Sequence, residues 1–292
     1  MKARDIAPYA AAIGVVLSDW PLIKTQPIRF YNGQSMCDPI MRGASNLRIM
    51  TGAEFADHMP MEQAIDILKT AFHSHAAGEL TAPARHAVDA PDGSLVFTIG
   101  VDQGASQSMG FRVYQTIPDS PNDQQIVAAY DCKSGELQGI IIGDEVGTIR
   151  TGAIGGIAID HLARTDARTM GMIGSGSQAR TQIQAAAAVR ELDDVKIYSP
   201  TERNRNQLAA ELHQELACSV RAVSTPKQAV TDAAIVSTAT RSTTPVIDIE
   251  WIPPGCHVNM LGPKFAGRSE LSPAIGELVD VIVTDSFAQV AG

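Results

Sequence analysis

From residue 168 onward the apolar positions fall into short continuous runs separated by longer polar or alanine-rich stretches. This is the pattern of strands buried on both faces and alternating with helices. Runs at 168–173, 195–199, 219–223, 234–240, 257–261 and 280–285 are expected to be strands, and 178–191, 202–216 and 226–232 helices. The alternation predicts an α/β fold, a Rossmann-type doubly wound parallel sheet. Upstream the period changes. Met61, Ala64, Ile65, Leu68, Ala71 and Phe72 recur three and four apart, which marks 60–78 as an amphipathic helix closed by Gly78. A strand at 47–51 precedes it, and strands at 85–89, 94–99, 110–117, 125–131 and 137–142 follow. The last two are joined by the turn Cys132-Lys-Ser-Gly135. Helix returns at 146–162, where Gly147, Gly152, Gly155 and Gly156 permit close approach to a neighbour. The expected organisation is an extension without clear period at 1–47, an α+β domain at 48–145, and a Rossmann domain at 146–292 that begins with this connecting helix.

Residues 168–180 carry the sharpest chemical signal: an apolar strand runs through Gly174-Ser-Gly176 into Ser177, Gln178 and an alanine-rich helix. Gly174 suits a turn with positive φ, and Gly176 has no Cβ to hold a pyrophosphate away from the backbone. The helix start offers unpaired N–H groups and a positive dipole end. A dinucleotide is therefore expected there, and the strand that follows at the required distance supplies the context that a lone GxG lacks.

Composition narrows the partners. With 292 residues, 45% hydrophobic and 19% charged, the chain is long enough for two domains, and its net charge of −9 is spread without a basic cluster. Nucleic acid and anionic membrane are excluded as expected partners, which leaves small molecules. Cys37, Cys132, Cys218 and Cys256 are far apart and have no histidine at metal-ligand spacing, so no metal site is expected and a reducing cytoplasm fits. The apolar run at 9–17 is too short to span a bilayer, and Asp5 interrupts any resemblance to a signal peptide.

Three arginines stand at strand ends or helix starts: Arg85 in Pro83-Ala-Arg-His86, Arg112 in Met109-Gly-Phe-Arg-Val113, and Arg150 in Arg150-Thr-Gly-Ala153. A guanidinium fork grips carboxylate or phosphate at two points, so their grouping predicts an anion-binding floor. These segments, the glycine-rich turn and His257-Val-Asn-Met-Leu-Gly262 together resemble the ornithine cyclodeaminase/mu-crystallin family over residues 48–292. The resemblance implies a Rossmann domain paired with an α+β substrate and dimerisation domain, a homodimer, and hydride transfer between nicotinamide and the α-carbon of a small amino or imino acid. It also implies residue roles. Arg85 grips the substrate carboxylate, and Arg150 lies near the cofactor phosphates. Ser177, Gln178 and Thr240 contact the nucleotide, with Leu261 and Gly262 close to it.

Two departures bear on the chemistry. Arg112 stands where most members have a substrate-contacting lysine, and Lys264 where the cyclodeaminases have a catalytic aspartate. Cyclodeamination needs a carboxylate that shuttles a proton, which Lys264 cannot supply. Arg112 and Lys264 are instead expected to orient and polarise an imino acid from a cationic pocket. At the tip of the second Rossmann strand, Ser199, Thr201 and Arg203 replace the acid that binds a ribose hydroxyl, which favours NADP(H), with NAD(H) also admissible because Glu202 lies beside them. Family members also continue past the position of Val290 with a further strand and a returning helix, so a fragment or a protein without that closure is expected. The leading expectation is an NAD(P)H-dependent imine reductase or amino-acid dehydrogenase. An ornithine cyclodeaminase and a non-catalytic NADP(H)-binding protein remain as alternatives.

Overall fold

The computed structural model describes residues 47–117, 120, 124–262, 264–265 and 267–285, with the backbone alone at 264 and 265. The extension at 1–46, with Cys37 and the apolar run 9–17, lies outside the described residues, as does the segment from 286 onward. The described chain forms two compact units, one containing 47–58 and 67–146, the other 59–66 and the residues from 147 onward.

The first unit is built on a seven-stranded sheet. Its strands are β1 (Arg48–Thr51), β2 (Leu80–Thr81), β3 (His86–Ala90), β4 (Gly93–Asp102), β5 (Ser108–Gln115), β6 (Ile126–Asp131) and β7 (Leu137–Ile142). The order is β1-β7-β6-β5-β4-β2, with β3 also on β4. The expected hairpin between β6 and β7 closes through Gly135 at φ +71° and the Asp131 carboxylate, which accepts from the amides of Lys133 and Ser134. Helix α1 (Gly52–His58) did not stand out from periodicity, yet Thr51 and Glu54 form a reciprocal cap at its start. Helix α2 (Met61–Ala76) buries the predicted Ala64, Ile65, Leu68 and Ala71. Alternation divides the sheet into two faces. Val96, Thr98, Arg112, Val127 and Ile141 are buried on one. Ile49, Val88, Leu95, Phe97, Ile99, Ile126 and Ile142 stand exposed on the other.

The second unit holds a five-stranded sheet with the order β10-β9-β8-β11-β12, parallel throughout. Its strands are β8 (Thr169–Ile173), β9 (Asp194–Tyr198), β10 (Ser219–Ala222), β11 (Ile235–Thr238) and β12 (His257–Met260). Helices α3 (Glu145–Leu162, which starts in the first unit), α4 (Ser177–Val189), α5 (Glu202–Glu215) and α6 (Pro226–Val230) complete the alternation. The doubly wound expectation holds. Met170, Met172, Ile183, Val195, Ile197, Leu212 and Ile235 form the core, with Cys218 packed against it as a small apolar residue. One expected strand is absent. Residues 280–285 pair with no strand, and Val281 and Ile282 are exposed. A run apolar on both faces is stable as a strand when neighbours and helices cover it, and among the described residues nothing does so. After β12 a two-stranded ribbon forms instead, β13 (Lys264–Phe265) against β14 (Arg268–Ser269). Among the described residues no helix is long and apolar enough to cross a membrane.

The glycines of α3 act as its sequence anticipates. A Cβ at Gly152 would lie 2.6 Å from Cβ of Thr181, and one at Gly155 2.3 Å from Oε1 of Gln182, so α3 and α4 meet almost backbone to backbone. Gln182, fully buried, donates to the Thr151 carbonyl at 3.0 Å and accepts from Asn259 at 3.4 Å. Asn259 also donates to Gly155 at 3.2 Å, and its amide oxygen lies 2.9 Å from Nε2 of His257. With the Asn259 amide nitrogen used as a donor, its oxygen is the acceptor and His257 carries the proton on Nε2. Arg190 caps the far end of α3, donating to the carbonyls of Ile159, Asp160 and Ala163 and pairing with the Asp160 carboxylate at 3.2 Å.

Burial holds the pKa of His257 below the usual histidine range, and the Arg190 charge lowers it further against the opposing effect of the Asn259 bond. The native ring is therefore neutral where the unfolded one takes a proton, so stability is lost as pH falls below about 6.5 and continues to fall until the folded ring titrates. Urea unfolding between pH 7 and 5 should show a decline of at most about 1.4 kcal/mol per pH unit from this residue. His257→Gln should remove that part of the decline, and an unaltered pH profile in the variant would remove His257 from the balance.

Candidate active site

At the end of β8 the chain turns at Gly174, whose φ is +127° and whose amide donates to the Tyr198 carbonyl at 2.8 Å. A Cβ at this position would lie 2.4 Å from the Ala239 carbonyl oxygen, so the turn passes directly over the loop that leaves β11. Gly176 then caps α4 with no side-chain hydrogen bond, and nothing lies within 4 Å of the place its Cβ would take. Gly176 and Ser177 are exposed and Gln178 half-buried at this helix start. This arrangement fits a dinucleotide pyrophosphate: hydrogen-bond donors, a helix dipole and room for close approach.

The neighbouring loop is tied to this turn. Ser175 donates to the Ser199 hydroxyl at 2.9 Å, and Ser199, itself buried, donates to the Thr201 carbonyl at 3.3 Å. Arg205 holds the same loop from beneath through the carbonyls of Ser199 and Pro200. Thr201 and Arg203 remain exposed at the start of α5. On the other side of β8, Thr240 follows β11 and Leu261 and Gly262 follow β12, with the Leu261 amide bonded to the Thr238 carbonyl at 3.0 Å. The amides of Thr240 and Gly262 both meet the carboxylate of Glu270. The sequence-predicted residues Gly174, Gly176, Ser177, Gln178, Ser199, Thr201, Arg203, Thr240, Leu261 and Gly262 therefore gather along the carboxyl ends of adjacent parallel strands, where open α/β sheets take their ligands. Arg150 lies half-buried on α3, less than one turn before the Gly152 contact with α4.

Arg85 and Arg112 belong to the other unit, and there they converge on one side chain. The Arg112 guanidinium lies 4.4 Å from the centre of the Tyr114 ring, and Arg85 donates to the Tyr114 hydroxyl at 3.3 Å. Arg112 is buried and Arg85 exposed. The two cations thus share one phenol, Arg112 through its ring face and Arg85 through its hydroxyl. Lys264 lies in β13, its backbone paired with Ser269. Sequence reasoning passed over Tyr114, Ser175, Arg205 and Glu270. Tyr114 had a usable signal, since two residues along a strand from Arg112 puts both on one face. Glu270 had none, because an acid in a turn segment reads as solvated.

The sequence pattern of the ornithine cyclodeaminase/mu-crystallin family matches residues 47–291. A Delta(1)-pyrroline-2-carboxylate reductase of Bacillus cereus is 31% identical over 188 residues, 62% of this chain and 58% of that protein. Among solved structures, Thermococcus litoralis Delta(1)-pyrroline-2-carboxylate reductase in complex with NADH and L-proline superposes with a TM-score of 0.72 at 24% identity, covering 77% of this chain and 72% of that one. An archaeal alanine dehydrogenase dimer with bound NAD gives 0.71 at 24% identity, covering 79% and 72%. At this identity the structural likeness establishes the fold, and the family pattern, which takes in most of the chain, establishes the lineage: this protein belongs to the ornithine cyclodeaminase/mu-crystallin family.

Proposed function

We propose that the protein is an NAD(P)H-dependent oxidoreductase that interconverts a small α-imino acid and the corresponding α-amino acid. The observation that carries this reading is the uncapped start of α4 behind Gly176, a site with donors and space for a pyrophosphate. The identity to a pyrroline-2-carboxylate reductase supports it. NAD(P)H, when held there, would supply the hydride for an imine carbon, with a proton added at the nitrogen to give the amine. The chain's own residues do the rest. Gly176, Ser177 and Gln178 hold the pyrophosphate, with Arg150 adding charge near the phosphates. Arg85 and Arg112, set by Tyr114, hold the substrate carboxylate. Lys264 stands in the place of the cyclodeaminase aspartate and adds positive charge beside the imino acid. The loss of that acid disfavours the ammonia-lyase reaction.

NADP(H) is the preferred cofactor in this reading. The β9 tip bears no acid at Ser199, whose hydroxyl is taken up by Ser175 and Thr201, while exposed Thr201 and Arg203 are free to meet a 2′-phosphate. The protein acts as a homodimer in the cytoplasm. Ile49, Ile140, Ala128, Phe111 and Ile99 form one row across the first unit's sheet, and Ile142, Ile126, Val113 and Phe97 the next. With Ile99 at 52% and Ile126 at 46% exposure, this face is covered by a second copy through a two-fold contact. The widely spaced free thiols Cys132, Cys218 and Cys256 suit a reducing compartment.

Gly176→Val should abolish binding of NADPH and NADH in fluorescence titrations while costing less than about 1 kcal/mol in urea unfolding. Undiminished binding would take the loop out of the site, and tighter binding of NADH than NADPH by the wild type would overturn the cofactor preference.

Wild type should oxidise NADPH in the presence of cyclic α-imino acids and release no ammonia from ornithine. Lys264→Asp should lower the reductase rate about tenfold or more, since a negative charge beside the substrate carboxylate costs on the order of a few kcal/mol in a partly desolvated site. Strong ornithine turnover by the wild type would make the protein a lyase, binding without either reaction would make it a non-catalytic nucleotide binder, and full reductase activity in the variant would place Lys264 outside the pocket.

Sedimentation velocity should give a dimer for the wild type. Ile99→Glu should shift it to monomer at micromolar concentration, by placing a charge within the apolar face. A monomeric wild type would exclude the two-fold contact.

A further inference from the structure

Glu270 is fully buried, and its carboxylate serves two loops at once. One oxygen accepts from the Thr240 amide at 2.5 Å. The other accepts from the Gly262 amide at 2.6 Å and from the Thr238 hydroxyl at 2.8 Å. These donors are all uncharged, and Glu270 forms no ion pair among the described residues. A carboxylate is costly to bury, and a core position that needed packing alone would be better filled by an apolar side chain.

The geometry around it is specific to a carboxylate of this length. A Cβ at Gly262 would lie 2.2 Å from the Glu270 carboxyl carbon, so glycine is required where the carboxylate passes. The backbone on either side is fixed: the Glu270 carbonyl accepts from Val246 at 2.9 Å, and Leu271 is buried in a cluster with Val230, Val236 and Ile247. Ser269, just before it, pairs with Lys264 across the β13–β14 ribbon. Glutamine would keep one acceptor oxygen and turn its NH2 group toward a backbone donor. Aspartate would be one methylene too short to reach both loops.

We propose that Glu270 is a positioning residue: its carboxylate ties the loop after β11 to the loop after β12. It thereby sets Thr240, Leu261, Gly262 and the Lys264 backbone for the nucleotide and the imino acid. The proposal rests on the oxidoreductase reading for what the loops receive, and on the hydrogen bonds alone for the tie itself.

Glu270→Gln tests it through three readouts on the whole chain. In amide hydrogen exchange by NMR without ligand, Thr240 and Gly262 should exchange about tenfold faster or more, while Val236 and Val258 in the strands change less than about twofold. NADPH affinity should fall about tenfold, and kcat for imino-acid reduction should fall by a larger factor than KM rises. Unchanged exchange at both amides overturns the proposal, as does faster exchange with intact nucleotide affinity and kcat. If Glu270→Gln does not fold, Thr238→Val removes one donor with little change of shape. Faster exchange at Gly262 in that variant, with Val236 and Val258 unaltered, supports the tie, and unaltered exchange at Gly262 overturns it. A wild type that binds NADPH but reduces no imino acid would defeat the reductase reading, while the exchange and nucleotide arms would still decide the role of Glu270.

Discussion

The nucleotide-binding unit depends on a contact between two backbones. At the centre of the sheet β8 sends the chain one way, to β9, and β11 receives it on the other side after the excursion through β10 and α6. The loops leaving these two strands cross at the reversal, and the Ala239 carbonyl occupies the space a side chain at Gly174 would need. Only a residue without Cβ, in the left-handed half of conformational space, lets both strands run parallel to their ends. The turn then releases α4, whose start at Gly176 and Ser177 is exposed. A sheet reversal, a glycine and a helix start are thus one feature, and the bonds from Ser175 to Ser199 and from Thr240 and Gly262 to Glu270 flank it.

The two units divide the polar work in different ways. In the unit with the parallel sheet, the loops after β8, β9, β11 and β12 are tied by neutral donors, the Ser175 and Ser199 hydroxyls and the Thr240 and Gly262 amides. The other unit concentrates charge, with Arg112 buried beneath a strand face and held over Tyr114. Neutral fixed dipoles suit a phosphate that arrives with its own charge. A small carboxylate needs the stronger, two-point grip of guanidinium. The same sheet that holds Arg112 on one face is apolar on the other, because alternate residues of β4 and β5 answer to different surroundings.

Much of this was legible in the sequence. Buried parallel strands write themselves as apolar runs, and β8 to β12 fall where those runs do. The glycine turn announced its geometry, and the spaced glycines of α3 announced a close helix contact. What the sequence hid was pairing. The run at 280–285 has the composition of a strand, but composition does not supply a neighbour. Glu270 was hidden for the opposite reason: three donors from distant segments make an acid at home in the core, and no local pattern records them. Tyr114 lay between, since its face was readable from Arg112 but its contact with Arg85, 29 positions away, was not.

The glycines of α3 also bear on what keeps that segment helical. Gly147, Gly152, Gly155 and Gly156 each weaken an isolated helix by about 1 kcal/mol relative to alanine, so this segment has little helical structure of its own in the nascent chain. Its regular conformation depends on the surface of α4, on Gln182 reaching the Thr151 carbonyl, and on Arg190 closing its last turn. All three lie later in the sequence than α3 itself. The segment therefore draws its helical stability from packing, chiefly on the later α4 and also on Ile65 of the earlier α2 beside Gly156.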